Sequence, residues 1–281
     1  MKWTGIVKSQ NYLVNAAIKF FNKLYENPQI KISDPIDTNL EYRPSLHFKA
    51  TNHLTIAAEA SEDSPYPMIF NLRHADIMNF NMPIALYCIC PEEEFLKQEN
   101  QGLVRDLQKN GFGLITVDSN EIVTKRFNCI PLIQHISEEE FSTEIRELPR
   151  KLRLRMRESF DLYNNNQVSG LQSISEIAEA LINDAGKKAV KNGWISRANT
   201  NNSASILDSL SLQISCKNAW ASIGGMRSFM KEYRNISHHA PKTVKQAYKK
   251  YRDCRHGFLD GIKKIRNFIN ELKNIDLNLK I

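Results

Sequence analysis

The sequence predicts two domains of different class: an α/β sheet with flanking helices over residues 1–140, and an all-α helical bundle over residues 150–281. Three observations predict it. The first half alternates helical patterns with short continuous apolar runs, such as "PIALYCIC" and "GFGLITVD", that suit buried strands. The second half reads as helix from "KLRLRMRESFDLYNN" to "IRNFINELKNI". The charge also reverses. Residues 1–145 hold 13 Lys and Arg against 19 Asp and Glu, a net of −6, whereas residues 146–281 hold 25 against 12, a net of +13.

The elements of the first half follow in order. Residues 9–26 carry Leu13, Ala16, Ala17, Phe20, Phe21 and Leu24 at helical spacing, and Asn27-Pro28 ends the helix. "SLHFKA" and "LTIAAEA" read as strands, with "TNH" as the turn between them. "MIFNLRHADIMNF" reads as a helix and "PIALYCIC" as a buried strand closed by Pro91. "EEEFLKQENQGLVRDLQKN" reads as one helix stopped by Gly111, "GFGLITVD" as another buried strand, and "NCIPLIQHI" as a further strand.

The join falls at residues 137–150, "SEEEFSTEIRELPR", a charged stretch with Pro149 near its end. Beyond it, the "KLRLRMRESFDLYNN" segment also alternates like a strand at Leu152, Leu154 and Met156. Helix is preferred because Phe160 and Leu162 follow with no turn signal. The next helix starts at Ser173 or Ser175 and stops at Gly193; "ISRANTNNSAS" is a polar loop, and "SILDSLSLQI" opens another helix. Trp220, Ile223, Met226, Phe229, Met230 and Tyr233 form a core stripe, and Gly224-Gly225 permits close packing or a kink. After Pro241 comes a long amphipathic helix with a basic outer face, its apolar side running from Val244 to Leu272. The total is a bundle of four or five helices.

Bulk properties narrow the function. The chain has 281 residues, 42% hydrophobic and 25% charged, an ordinary globular balance. No apolar run reaches the length of a membrane span, and "MKWTGIVKSQ" is too polar for a signal peptide. The five cysteines, Cys88, Cys90, Cys129, Cys216 and Cys254, form no CxxC pair, so the sequence points to neither a disulfide framework nor zinc. The expectation is a cytoplasmic protein with no membrane partner and no cofactor. The basic half is the one suited to a polyanion.

The order of elements over roughly residues 8–135, with "RPSLHF", "LTIAAEAS", "ALYCICPEE" and "GLITVDS", resembles the PD-(D/E)xK restriction-endonuclease-like superfamily. That chemistry needs two carboxylates for Mg²⁺ and a Lys that helps to activate water. The position after Pro44 is Ser45 rather than Asp. Glu59 stands at the acidic position, and Ser61 at that of the Lys. Asp37 or Lys49 is the available substitute from nearby. The resemblance therefore implies a catalytically silent nuclease-like domain that binds, senses or dimerises.

"EYRNISHHAP", residues 232–241, sits where a helical pattern ends. Its Arg-Asn-x-x-x-His pattern, Arg234, Asn235 and His239, in a basic helical bundle resembles the HEPN superfamily over about residues 150–275. Many HEPN proteins are metal-independent endoribonucleases that serve as toxins or anti-phage effectors. The residue types suit the chemistry. RNA carries its own nucleophile, the 2′-OH, so the protein needs a proton acceptor, a proton donor and positive charge for the transition state. His titrates near neutrality. Arg presents a planar fork of donors to phosphate oxygens. Asn orients the His or donates to phosphate. In an unbroken helix His238 faces Arg234 and His239 does not; the family register selects His239, and Pro241 loosens the helix nearby. His239 is taken as the main group, with His238 as a second proton-transfer or phosphate-binding group.

The resemblance further implies a homodimer through the helical domain, and an antitoxin or activating ligand as a partner. Glu176 and Glu179 are candidates for an extra polar group in the pocket, and Arg255 and His256 are expected to face solvent or RNA. Two other classes compete: an Mg²⁺-dependent DNA nuclease using Glu59, and a non-enzymatic nucleic-acid-binding or interaction protein.

Overall fold

Sequence patterning builds a mixed six-stranded sheet first. The computed structural model describes residues 11–38, 42–65, 83–233 and 242–279. The chain divides into two compact units, Met1–Ser137 with Pro241–Arg252, and Glu138–Ala240 with Asp253–Ile281.

In the first unit, α1 (Asn11–Leu24) precedes strands β1 (Lys31–Ile32), β2 (Leu46–Thr51), β3 (Leu54–Ala60), β4 (Ile84–Pro91), β5 (Gly113–Val117) and β6 (Val123–Phe127). The strands lie in sequence order. β1, β2 and β3 pair antiparallel, β3, β4 and β5 pair parallel, and β6 returns antiparallel to β5. The continuous apolar run of β4 is explained by burial on both faces. Tyr87 and Ile89 pack on one side with Leu13, Ala17 and Phe21 of α1. Leu86, Cys88 and Cys90 pack on the other with Val104 and Leu107.

Two first-half expectations change. Residues 92–110 are not one helix. α2 (Glu92–Leu96) and α3 (Gln101–Lys109) are separated at Lys97, whose backbone is extended (φ −64°, ψ 132°). Asn100 drives the break: its side chain is buried and donates to the Glu94 carbonyl at 2.8 Å. The stop at Gly111 holds. With φ +75°, Gly111 donates to the Gln108 carbonyl while Phe112 donates to that of Leu107, a Schellman closure. The last strand is Val123–Phe127, not the "NCIPLIQHI" stretch, where a 3₁₀ turn spans Leu132–Gln134. Pro131, which has no N–H to give a ladder, heads that turn. The helix expected over "MIFNLRHADIMNF" lies outside the described residues.

The second unit is helical. α4 (Glu138–Ile145) comes first, and among the described residues of 150–281 there follow α5 (Arg150–Asn165), α6 (Gln167–Lys191), α7 (Ser203–Ser211), α8 (Trp220–Tyr233) and the 30-residue α9 (Val244–Lys273), five helices where four or five were expected; residues 244–252 of α9 belong to the first unit. The charged stretch read as a join is α4. Phe141 is fully buried and stacks on Phe160 of α5 at 4.1 Å. Tyr163 of α5 meets Phe258 of α9 at 4.6 Å. Each such ring is worth roughly 1.5–3 kcal/mol of apolar burial, which is why a segment so rich in carboxylates still docks.

Further corrections concern helix ends. α6 begins at Gln167, six residues before Ser173, because Asn166 caps it by accepting from the Ser169 N–H at 3.1 Å. Its stop at Gly193 (φ +70°) holds, again through a Schellman closure onto Ala189 and Val190. The expected loop contains a 3₁₀ turn at Arg197–Thr200. Trp220 is not core. It is the first residue of α8, 41% exposed, and its indole N–H donates to the Gln213 carbonyl at 3.2 Å. Val244, the first residue of α9, is likewise exposed. α8 runs unbroken through Gly224-Gly225, and at Gly225 the close packing is present: a Cβ there would lie 3.1 Å from Lys264 Cδ. No helix among the described residues is long and apolar enough to cross a membrane.

Candidate functional site

Arg234, Asn235, His238 and His239 lie outside the described residues. Their flanks are described. α8 is described as far as Tyr233, the residue directly before Arg234, and Tyr233 is buried against α9. The approach depends on Gly257: a Cβ there would lie 2.5 Å from Tyr233 Cδ1. The Tyr233 ring also sits 5.6 Å from that of Phe229 and 6.1 Å from that of His256. Burial pushes the Tyr233 phenol up, and the carboxylates of Glu232, Asp260 and Asp253 push the same way. Tyr233 therefore stays neutral at any working pH and anchors this turn of α8.

Glu176 and Glu179, candidates for an extra polar group in the pocket, and His256 and Arg255, expected to face solvent or RNA, fall in different surroundings. Glu176 is exposed, and Glu179 accepts from the Ser203 hydroxyl at 3.3 Å. His256 is exposed beside Tyr233. Arg255 does not face free solvent: its guanidinium grips both Glu140 carboxylate oxygens, at 2.8 and 2.7 Å. The carboxylate run of α4, unremarkable in the sequence, supplies that partner.

In the first unit the β2–β3 register, Leu46 opposite Ala58, carries Ser45 opposite Glu59. The Glu59 carboxylate accepts from the Tyr42 hydroxyl at 2.5 Å, the Ser45 hydroxyl at 3.0 Å and the Ser45 N–H at 3.3 Å. Ser45 Oγ in turn accepts from the Ala60 N–H at 3.0 Å. Three donors thus take up most of the roughly four lone-pair sites of one carboxylate. A hydroxyl stands where a second carboxylate is needed. Lys49 lies four residues along β2 from Ser45, about 13 Å at strand rise, so it is no substitute at Glu59. Among the described residues no group of three or more His, Cys, Asp or Glu is placed to hold a metal ion. These donors do not fit Mg²⁺, which asks for several oxygen ligands. Tyr42 was not legible as a partner, because nothing in the strand periodicity marks a residue 17 positions before Glu59.

Burial pushes the Glu59 carboxyl up from its ordinary 4.5, while the Tyr42 and Ser45 hydrogen bonds pull it partly back. Burial and the neighbouring Glu59 push the Tyr42 phenol well up. The raised carboxyl has a sign. The stability Glu59 contributes is fully present below its unfolded value and is lost as pH rises through the folded one. Urea midpoints measured from about pH 4 to about pH 8 should show that decline in the wild type and lose it in Glu59→Gln. Superimposable profiles would exclude Glu59 as a group that titrates with folding.

Comparison with family models, with curated proteins and with solved structures finds no match. Any statement of function therefore rests on residues and chemistry.

Proposed function

We propose that the chain is a metal-independent endoribonuclease of HEPN type, with Arg234, Asn235, His238 and His239 as its site and with the first domain, restriction-endonuclease-like in its order of elements, serving as a regulator or sensor. The observation that carries the reading is the placement of the Arg-Asn-x-x-x-His sequence. It follows directly on Tyr233, a helical residue packed onto α9 within a basic all-helical unit. The satisfied carboxylate of Glu59 supports assigning the chemistry to the second half.

One histidine takes the proton from the ribose 2′-OH as its oxygen attacks phosphorus. The bond to the 5′ oxygen breaks, and a second histidine protonates that oxygen. Products are a 2′,3′-cyclic phosphate and a 5′-hydroxyl. Arg234 neutralises the non-bridging oxygens as charge gathers there. Two copies of the motif brought together in a homodimer would supply both proton-transfer groups. A toxin or anti-phage effector held in check by an antitoxin or awaiting an activating ligand is the biological role that suits such an activity.

The direct test is cleavage of labelled total RNA in EDTA. Fragments ending in 2′,3′-cyclic phosphate are expected. Cleavage that appears only with added Mg²⁺, or that acts equally on DNA, would sink the reading.

A further inference from the structure

We propose that the solvent face at the start of α5 is a docking strip for the phosphate backbone of single-stranded RNA, formed by Arg150, Lys151, Arg153 and Arg155. The inference rests on the reading that the substrate is RNA, and it assigns to that substrate residues outside the Arg-Asn-x-x-x-His motif.

The four cations fall within the first six residues of α5, and all are exposed. The opposite side of the same turns is fixed in the core by Leu152 and Met156, 1% and 0% exposed. The backbone beneath the strip is thereby held. None of the four side chains has an ion-pair or hydrogen-bond partner among the described residues.

The contrast with nearby cations is the decisive point. Arg157, two residues further along α5, pairs with Glu138 and lies 4.6 Å over the Phe141 ring. Arg255 is held by Glu140, and Lys263 by Glu144. The carboxylates of α4 neutralise these and leave the start of α5 uncompensated.

That arrangement opposes helix stability. Arg150 and Arg153 are three apart and Lys151 and Arg155 four apart, so they repel as neighbours on a helix surface. The first turn of α5 contains no acidic residue, so the cations also oppose the helix dipole. A polyanion relieves both terms. Three of the four are Arg, whose planar fork matches phosphate and whose face stacks on unpaired bases. Leu154, 58% exposed among them, offers an apolar rest for a base. This combination favours a single strand with open bases over an acidic protein surface.

The test uses the full chain and a fluorescent single-stranded 2′-O-methyl RNA, which lacks the nucleophile and so survives. Binding is measured against salt for wild type, for Arg150→Gln/Lys151→Gln/Arg153→Gln/Arg155→Gln, and for a control with the same charge removed elsewhere, Lys187→Gln/Lys191→Gln/Arg197→Gln/Lys217→Gln. For single strands each phosphate contact contributes about 0.7 to the slope of log K on log salt. The strip variant should therefore flatten the slope by up to about 3, with the control near wild type and the helical circular dichroism of both retained. An unaltered slope in the strip variant, or an equal loss in the control, overturns the proposal. So does a wild type that does not bind, or binding that poly-glutamate displaces as readily as RNA does. The two readings fail separately. A protein that binds with the expected slopes but leaves natural RNA uncut defeats only the ribonuclease reading; one that cuts RNA with an unaltered slope defeats only the strip.

Discussion

Replacing His239 by alanine is expected to lower RNA cleavage in EDTA by about 10²- to 10⁴-fold, the usual loss when a positioned general acid or base is removed. Binding of a 2′-O-methyl RNA should change little, because proton transfer occurs only at the reacting centre. Arg234→Ala should cost a comparable factor, about 10²- to 10³-fold, since it removes charge stabilisation from the transition state. Arg234→Lys should rescue only part of it: a point charge does not reproduce a two-pronged contact with phosphate. Single-turnover cleavage of one labelled RNA by the three variants, with binding of the 2′-O-methyl RNA measured beside it, checks all of this. His238→Ala decides between the two registers. A larger loss at His238 than at His239 would mean that the segment keeps full helical geometry past Arg234. Wild-type rates in both histidine variants would remove the segment from the chemistry altogether.

The two halves of the chain were legible in the sequence to different depths. The sheet was readable because β4 and β5 are buried on both faces and so appear as unbroken apolar runs, which little else in a globular chain imitates. Both glycine stops were readable because a Schellman closure demands positive φ at one position. What escaped was set by contacts distant in sequence or by single polar side chains. The break at Lys97 depends on Asn100 turning inward to bond the Glu94 carbonyl. α4 reads as a solvated linker until Phe141 is seen to stack on Phe160. Of the candidate sites, the replacement of Asp by Ser45 could be read directly. The Tyr42 hydroxyl that completes the enclosure of Glu59 could not, since that pairing is created by the fold. The same holds for Arg255, whose partner Glu140 is 115 residues away.

Gly170→Ala is expected to destabilise the helical unit by about 1–3 kcal/mol or more, although alanine is intrinsically the better helix former by about 1 kcal/mol. The reason is the tightness of the α5–α6 hairpin. Asn166 alone connects the two helices, turning the chain at φ −151° and ψ 108°. Gly170 then lies against the backbone of Tyr163: an added Cβ would be 2.4 Å from Tyr163 Cβ, 2.5 Å from its Cα and 2.7 Å from its N. These atoms cannot rotate away as the end of a side chain can. The two helices must separate, and Tyr163, fully buried, would be drawn off Phe258. Gly224 provides the control, because it lies in α8 with nothing within 4 Å of its would-be Cβ. Gly224→Ala should stabilise by up to about 1 kcal/mol through helix propensity alone. Urea unfolding followed by circular dichroism should thus move in opposite directions for one and the same chemical change. A Gly170→Ala midpoint at or above the wild-type value would mean that the hairpin has slack that these distances deny.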